Sequence, residues 1–255
     1  MRKFSLDAMR NVKERELSEM TGLSLTLKRE RPVYKLKDSF GERINIIAEL
    51  KHSSPSHGFM DSHITDSVRL ARYVYGGASA VSILAEREFF GGSYDIMKLE
   101  AEKVSVPVLC KDFVFFKEQI DAAYVCGADM VLLIAKGLEK NELQGLYRHT
   151  ESLGILPLVE VCREDELEKL GGIAPEFIMV NMRDLETLDI DFRRGIKTLN
   201  ALPENVTAIS ASGINSRNDI EFIMREAGVK NFLVGASLMT HSEPDMIIRE
   251  LKNVC

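Results

Sequence analysis

The chain has 255 residues, is 45% hydrophobic and carries a formal net charge of -6. That length suits one α/β barrel or two small domains, and the apolar fraction is enough for a large core. The acidic balance argues against a globally basic nucleic-acid surface but leaves room for a local anion site.

Residues 1–43 belong to no strand–helix unit. "LDAMRNVKERELSEM" predicts an amphipathic helix, and "LSLTLKRERPVYKLKDSFGER" a loop leading to a second short helix. We read 1–43 as an extension packed on a barrel, a lid or plug, and 44–255 as the barrel, one domain overall. The charges of "MRKFSLDAMRNVKEREL" are too closely spaced for a signal-peptide core.

From Ile44 onward, eight apolar runs alternate with amphipathic stretches: "INIIAEL", "SAVSILA", "VPVLCKD", "MVLLIAK", "ILPLVEV", "FIMVNM", "VTAISA" and "NFLVGA". They end near positions 49, 85, 111, 135, 160, 181, 211 and 235, a spacing that one strand, one helix and two loops fill. "DSVRLARYVYGG" reads as a helix stopped by Gly76-Gly77, "KEQIDAAYVCGAD" as one stopped at Gly127, and "REDELEKLGG" as a short helix with an acidic first turn. Near-continuous apolar strands alternating with helices imply a parallel sheet covered on its faces. Eight units predict a closed (β/α)8 barrel. A doubly wound open sheet competes, but no GxGxxG follows the first strand.

"MVLLIA" is far shorter than the roughly 20 residues of a membrane helix. Cys110, Cys126, Cys162 and Cys255 form no CxxC pair, and no His stands at zinc-ligand spacing from them. Together these predict a soluble protein of a reducing, cytoplasmic compartment, with Cys110 and Cys126 as inert core thiols. "NVT" at Asn205 matches a glycosylation pattern but has no secretory signal to accompany it.

Polar residues cluster where the apolar runs end. Glu49 and Lys51 close the first, Lys111 and Asp112 the third, Glu160 the fifth, and Asn181 and Arg183 the sixth. Period-2 geometry aims Glu49 and Lys51 to one side. Any one of these is equally well read as a strand-end charge meeting solvent or a neighbour. Five of them, Glu49, Lys51, Lys111, Glu160 and Asn181, at four strand ends point to a site at the carboxyl mouth of a barrel. The small-residue turns "SASGIN" and "LVGASLM" follow strands seven and eight, where this fold often binds phosphate. Phe89, Phe90 and Phe113 either line an apolar ligand slot or plug the barrel top. His52 and His57, in the loop after strand one, read as solvated loop residues.

With these motifs in hand, the chain resembles the indole-3-glycerol phosphate synthase family. "IIAELKHSSPSHG", "SILAEREFFGGS", "KDFVFFKEQIDAAYVCGADMVLLIA", "LPLVEV", "VNMRDLETLDID", "SGI" and "FLVGASLM" appear in the family's order over roughly Ile44 to Met239. The resemblance implies ring closure of 1-(2-carboxyphenylamino)-1-deoxyribulose 5-phosphate with loss of carbon dioxide and water, without a cofactor or metal. It implies Lys111 as general acid, Glu160 as acid/base in the later dehydration, Lys51 as the lysine holding the anionic substrate, and Glu49 and Asn181 as polar members of the same constellation. It places Ser54, Arg183, Ser212, Gly213, Gly235 and Ala236 on substrate or phosphate, and Phe90, Phe113 and Pro55 around the aromatic ring. The expected partner is the phosphorylated anthranilate-sugar alone, with no nucleic acid or membrane, bound by a monomer.

Two departures stand out. The family pattern has Glu just before the Ser-Gly of strand seven, where this chain has Ala211, and some relatives supply an aromatic partner from the extension, whereas this chain has no Trp. Two other readings compete: a Schiff-base aldolase using a barrel lysine and the same phosphate loops, and a non-catalytic barrel that binds a phosphorylated ligand.

Overall fold

Eight parallel strands close on themselves in the computed structural model, which describes residues 5–24, 28–54, 58–59 and 64–253, with the backbone alone for 18–24 and Ser54. They are β1 (Asn45–Leu50), β2 (Ala80–Leu84), β3 (Val108–Lys111), β4 (Met130–Ile134), β5 (Leu156–Val161), β6 (Phe177–Asn181), β7 (Thr207–Ala211) and β8 (Asn231–Val234). Each ends within one residue of its expected position. β8 returns to β1 in the register Asn45↔Asn231 through Ala48↔Val234, which completes the (β/α)8 barrel and leaves no open edge. The doubly wound alternative is thereby excluded.

The strands read as apolar runs because both faces are covered. Interior side chains fill the barrel, and exterior ones pack under helices. All residues of β1, β2, β4 and β6 are buried. The helices are α1 (Leu6–Ser24), α2 (Leu36–Ser39), α3 (Asp66–Tyr75), α4 (Tyr94–Ala101), α5 (Lys117–Val125), α6 (Lys140–Ser152), α7 (Phe192–Asn200), α8 (Arg217–Ala227), α9 (Ala236–Met239) and α10 (Pro244–Lys252). α3 begins at Thr65, whose hydroxyl accepts from the Val68 N–H, and stops at Gly76-Gly77, where Gly77 takes φ +91°. None of the helices among the described residues is long and apolar enough to cross a membrane.

"REDELEKLGG" forms a 3₁₀ helix over Glu164–Leu170 rather than an α-helix. Glu166 turns inward to accept from the Cys162 N–H at 2.7 Å, and its own N–H reaches the Arg163 carbonyl three residues back. Cys110, Cys126 and Cys162 are buried free thiols. Burial pushes Cys126 and Cys162 up to about 11, so neither holds a thiolate near neutral pH.

The N-terminal segment is tied to both ends of the barrel. α1 packs against α5. Its Arg10 reaches the Gly137 carbonyl and Glu142 just beyond β4, and its Lys13 reaches Asp112 just beyond β3. Further on, Arg29 and Arg31 both pair with buried Asp129, immediately before β4, at 2.6 and 2.5 Å. Asp129 also accepts the Tyr34 and Val108 N–H groups, so one carboxylate binds the segment to the lower rim. Charges at that rim serve stability, because barrel sites open at the other face.

Candidate active site

At the carboxyl end of the strands lies a cavity of about 1180 Å³, counting its open mouth. Its polar wall comes from strand ends. Glu49 of β1, Lys111 of β3, Glu160 of β5 and Ala211 of β7 all line it, one from each odd strand, the arrangement by which alternate strands fill one layer of a barrel. Lys51, Asn181, Arg183, Ser212, Gly213, Gly235 and Ala236 complete the rim, and Phe90 and Phe113 form an aromatic side.

Two ion pairs set the electrostatics. Lys51 Nζ donates to Glu49 Oε1 at 2.9 Å, both side chains being largely buried. Burial alone would push Glu49 up, but the ammonium groups of Lys51 and Lys111 hold it below the usual carboxylate range. Lys111 Nζ lies 3.6 Å from Glu160 Oε2, an ion-pair contact longer than a hydrogen bond.

Asn181 orients Glu160. The Arg183 N–H can only donate, and it reaches Asn181 Oδ1 at 3.0 Å. The Asn181 Nδ2 therefore faces Glu160 Oε1, at 3.0 Å. Glu160 is 2% exposed, and its Oε2 has no hydrogen-bond donor among the described residues. That oxygen is held at Lys111 with its proton-accepting capacity unused. A dry carboxylate beside an ammonium is equipped to pass protons between the protein and a bound molecule.

The opposite wall is backbone. Ser212 stands at φ +70° and Gly213 at φ +79°, left-handed conformations that turn the chain sharply after β7. At Gly235, a Cβ would fall 2.5 Å from Glu49 Oε1 and 3.0 Å from Lys51 Nζ, so any larger residue there would displace the ends of both side chains. Ser237 Oγ bonds the Ile214 carbonyl and joins the two loops.

The aromatic side depends on a carboxylate that sequence reasoning passed over. Glu86, fully buried, accepts the N–H groups of Glu88, Phe89 and Phe90 at 2.9, 2.7 and 2.9 Å and so folds the loop after β2. Phe90 then stands 6.2 Å from Phe113, ring centre to ring centre. Phe89 instead joins α1 residues along a separate groove. The Phe90 carbonyl accepts from the His52 and Ser53 N–H groups, which fastens the loop after β1 to this one.

His52 departs from its expected solvated state. Its ring sits 3.0 Å from Asp66 at the start of α3, and that hydrogen bond raises its pKa. The loop after β6 has a similar anchor in Asp184, which pairs with Lys136 and Arg163 and accepts the Glu186 N–H. This loop brings Leu185, Leu188 and Ile190 over the cavity, and the Leu188 carbonyl accepts from Arg183 at 2.7 Å. No apolar periodicity marks Glu86 or Asp184. Their signal is a carboxylate just past a strand end, followed by residues whose N–H groups need acceptors. Pro55 and His57 lie outside the described residues, as does the side chain of Ser54; the Ser54 backbone pairs with Gly58 in a two-residue ladder.

Comparison with known proteins gives the family and agrees with the fold. The family model for indole-3-glycerol phosphate synthase matches residues 1–251. The indole-3-glycerol phosphate synthase of Bacillus cereus (strain B4264) is 37% identical over 248 residues, 97% of each chain, and that of Bacillus anthracis (strain A0248) is also 37% identical over 97% of each chain. Among solved structures, the chain is similar in fold to 3-hexulose-6-phosphate synthase from Salmonella typhimurium (TM-score 0.65, 14% identity, 82% of this chain and 97% of that one). It is also similar to thiamine phosphate pyrophosphorylase from Pyrococcus furiosus (TM-score 0.60, 13% identity, 85% and 96%). A match over nearly the whole chain, with relatives 37% identical across 97% of it, leads to one conclusion: this chain belongs to the indole-3-glycerol phosphate synthase family.

Proposed function

We propose that the mouth of this barrel closes the indole ring with Lys111 as general acid and Glu160 as the group that moves the later protons. As a family member the chain is a decarboxylating lyase of tryptophan biosynthesis. The observation that carries the residue roles is the chain of contacts Lys111–Glu160–Asn181–Arg183, which leaves one unsatisfied carboxylate oxygen beside one ammonium.

The substrate brings a carboxylate, a phosphate and a ketone. Its ring carbon attacks the ketone carbon while Lys111 protonates the ketone oxygen, which becomes a hydroxyl. The bond to the carboxylate breaks, carbon dioxide leaves, and the bonding electrons restore the aromatic ring. Glu160 takes the neighbouring C–H proton and passes it to the departing hydroxyl, which leaves as water and completes the indole. Lys51 holds substrate charge, and Glu49 keeps it in place. Arg183 with the backbone of Ser212, Gly213, Gly235 and Ala236 receives the phosphate, and Phe90 and Phe113 flank the ring. Because Ala211 adds no charge, Glu49 and Glu160 are the carboxylates of the odd-strand layer, and Glu49 carries correspondingly more weight.

The test is product formation. Purified protein given the carboxyphenylamino-deoxyribulose phosphate should develop indole fluorescence, read against a low background because the chain has no Trp. Absence of product from folded protein would defeat the reading. A borohydride-trapped adduct at Lys111 with a sugar-phosphate carbonyl would replace it with Schiff-base chemistry.

A further inference from the structure

Lys13 is a lysine with no exposed surface, carried on a helix outside the barrel. Its Nζ lies 2.8 Å from Asp112 Oδ1 and 2.9 Å from Glu16 Oε2. Asp112 is buried too, and its carboxylate gathers three further donors: Tyr94 OH of α4 at 2.9 Å, Gln119 Nε2 of α5 at 3.3 Å, and the Phe113 N–H at 2.8 Å. Gln119 in turn bonds the Phe113 carbonyl and accepts from the Phe115 N–H. Lys111, Asp112 and Phe113 all border the cavity, and the Asp112 carboxylate also bonds side chains of α1, α4 and α5.

A buried carboxylate with four donors fixes the backbone it belongs to, provided its charge is balanced. Lys13 is the one cation paired with Asp112 among the described residues. We propose that Lys13 is a positioning residue: through Asp112 it holds Lys111 and Phe113 in the geometry the reaction uses, so that α1 is part of the catalytic apparatus without touching substrate. The charge of Lys13 also bears on Glu86, the carboxylate that folds the loop carrying Phe90.

The inference rests on Lys111 being the acid, and wild-type turnover together with its loss in Lys111→Ala tests that reading before Lys13 is varied. Lys13→Met keeps the length and removes the charge. In the full chain, folded protein should lose on the order of tenfold to a hundredfold in kcat, with KM changed by less than about threefold, the split expected when reacting groups are misplaced rather than binding lost. Wild-type kcat in folded Lys13→Met overturns the proposal.

If that variant does not fold, Lys13→Met/Asp112→Asn removes both charges together. The proposal expects kcat to stay depressed there, and full kcat overturns it. Arg10→Gln is the control for general docking of α1, because it breaks a half-buried tie to Glu142 and the Gly137 carbonyl. It should lower the melting temperature and leave kcat near wild type. A loss of kcat in Arg10→Gln equal to that in Lys13→Met would assign the effect to helix docking and overturn the specific role of Lys13.

Discussion

Asn181 holds Glu160 by an amide whose orientation is dictated from behind: its Oδ1 accepts from the Arg183 N–H at 3.0 Å, and its Nδ2 donates to Glu160 Oε1 at 3.0 Å. One carboxylate oxygen is thereby occupied, and the other is left for Lys111 and the substrate. This arrangement supports the division of labour proposed for Lys111 and Glu160.

Lys111→Ala should abolish turnover, by about a hundredfold to ten-thousandfold at least, with little change in melting, because Lys111 ends its strand at the open mouth. Glu160→Gln should keep early carbon dioxide release and slow the later dehydration. Single-turnover measurement of carbon dioxide against indole fluorescence separates the two phases. Full activity in the first variant, or an unchanged profile in the second, counts against the assigned role.

Gly235→Ala introduces a methyl against Glu49 Oε1 and Lys51 Nζ. The ends of both side chains can move, so the cost to stability should stay near 1 kcal/mol. Their mutual hydrogen bond cannot persist unchanged, however. Activity should fall on the order of tenfold or more, most of it in KM, given the role proposed for Lys51 in holding substrate charge. Steady-state kinetics at matched folded fraction checks this.

Asp184 is predicted to make stability depend on acid. Burial opposes its charge, but the Glu186 N–H, Arg163 and Lys136 hold its pKa far below the ordinary Asp range. A depressed folded value means that its contribution is complete above the unfolded value of roughly 3.9 and fades as pH falls toward the folded one. Asp184→Asn should cost about 2 kcal/mol at neutral pH, less than a fully buried pair because the Arg163 side chain is half in water. The loss should shrink as the medium becomes strongly acid. Denaturant melts across that range provide the measurement, and a pH-independent difference would contradict the account.

His52 behaves in the opposite sense. Its hydrogen bond to Asp66 raises its pKa against a smaller opposing effect of burial. The tether between the loop after β1 and α3 is therefore at full strength below the ordinary histidine value and is lost as pH rises through the raised one. Imidazole NMR should give a midpoint above roughly 6.5, and Asp66→Asn should bring it down. An unshifted midpoint in the wild type would remove the tether from the account of loop order.

Much of this was legible in the amino-acid sequence because parallel barrel strands are buried on both faces. "MVLLIA" and its counterparts had to be apolar throughout, and a polar residue was tolerated only where a strand left the core. That rule located Glu49, Lys111, Glu160 and Asn181 directly. The glycine turns after β7 and β8 were visible for a similar reason, since few other residues accept the sharp turn or the close approach of Glu49 that Gly235 allows.

The tertiary structure decided which groups meet. Lys111 and Glu160 are 49 positions apart, and only closure of the barrel sets them 3.6 Å from one another. His52, which reads as a solvated loop residue, acquires Asp66 because α3 begins beside it. Lys13 is the clearest case. In the sequence it is one charge among many on an amphipathic helix, and its role appears only when α1 docks and its ammonium enters the closed space beside Asp112. Local pattern reports whether a residue faces the core or water. Pairing between distant side chains depends on how elements pack in three dimensions, and no periodicity along the chain encodes it.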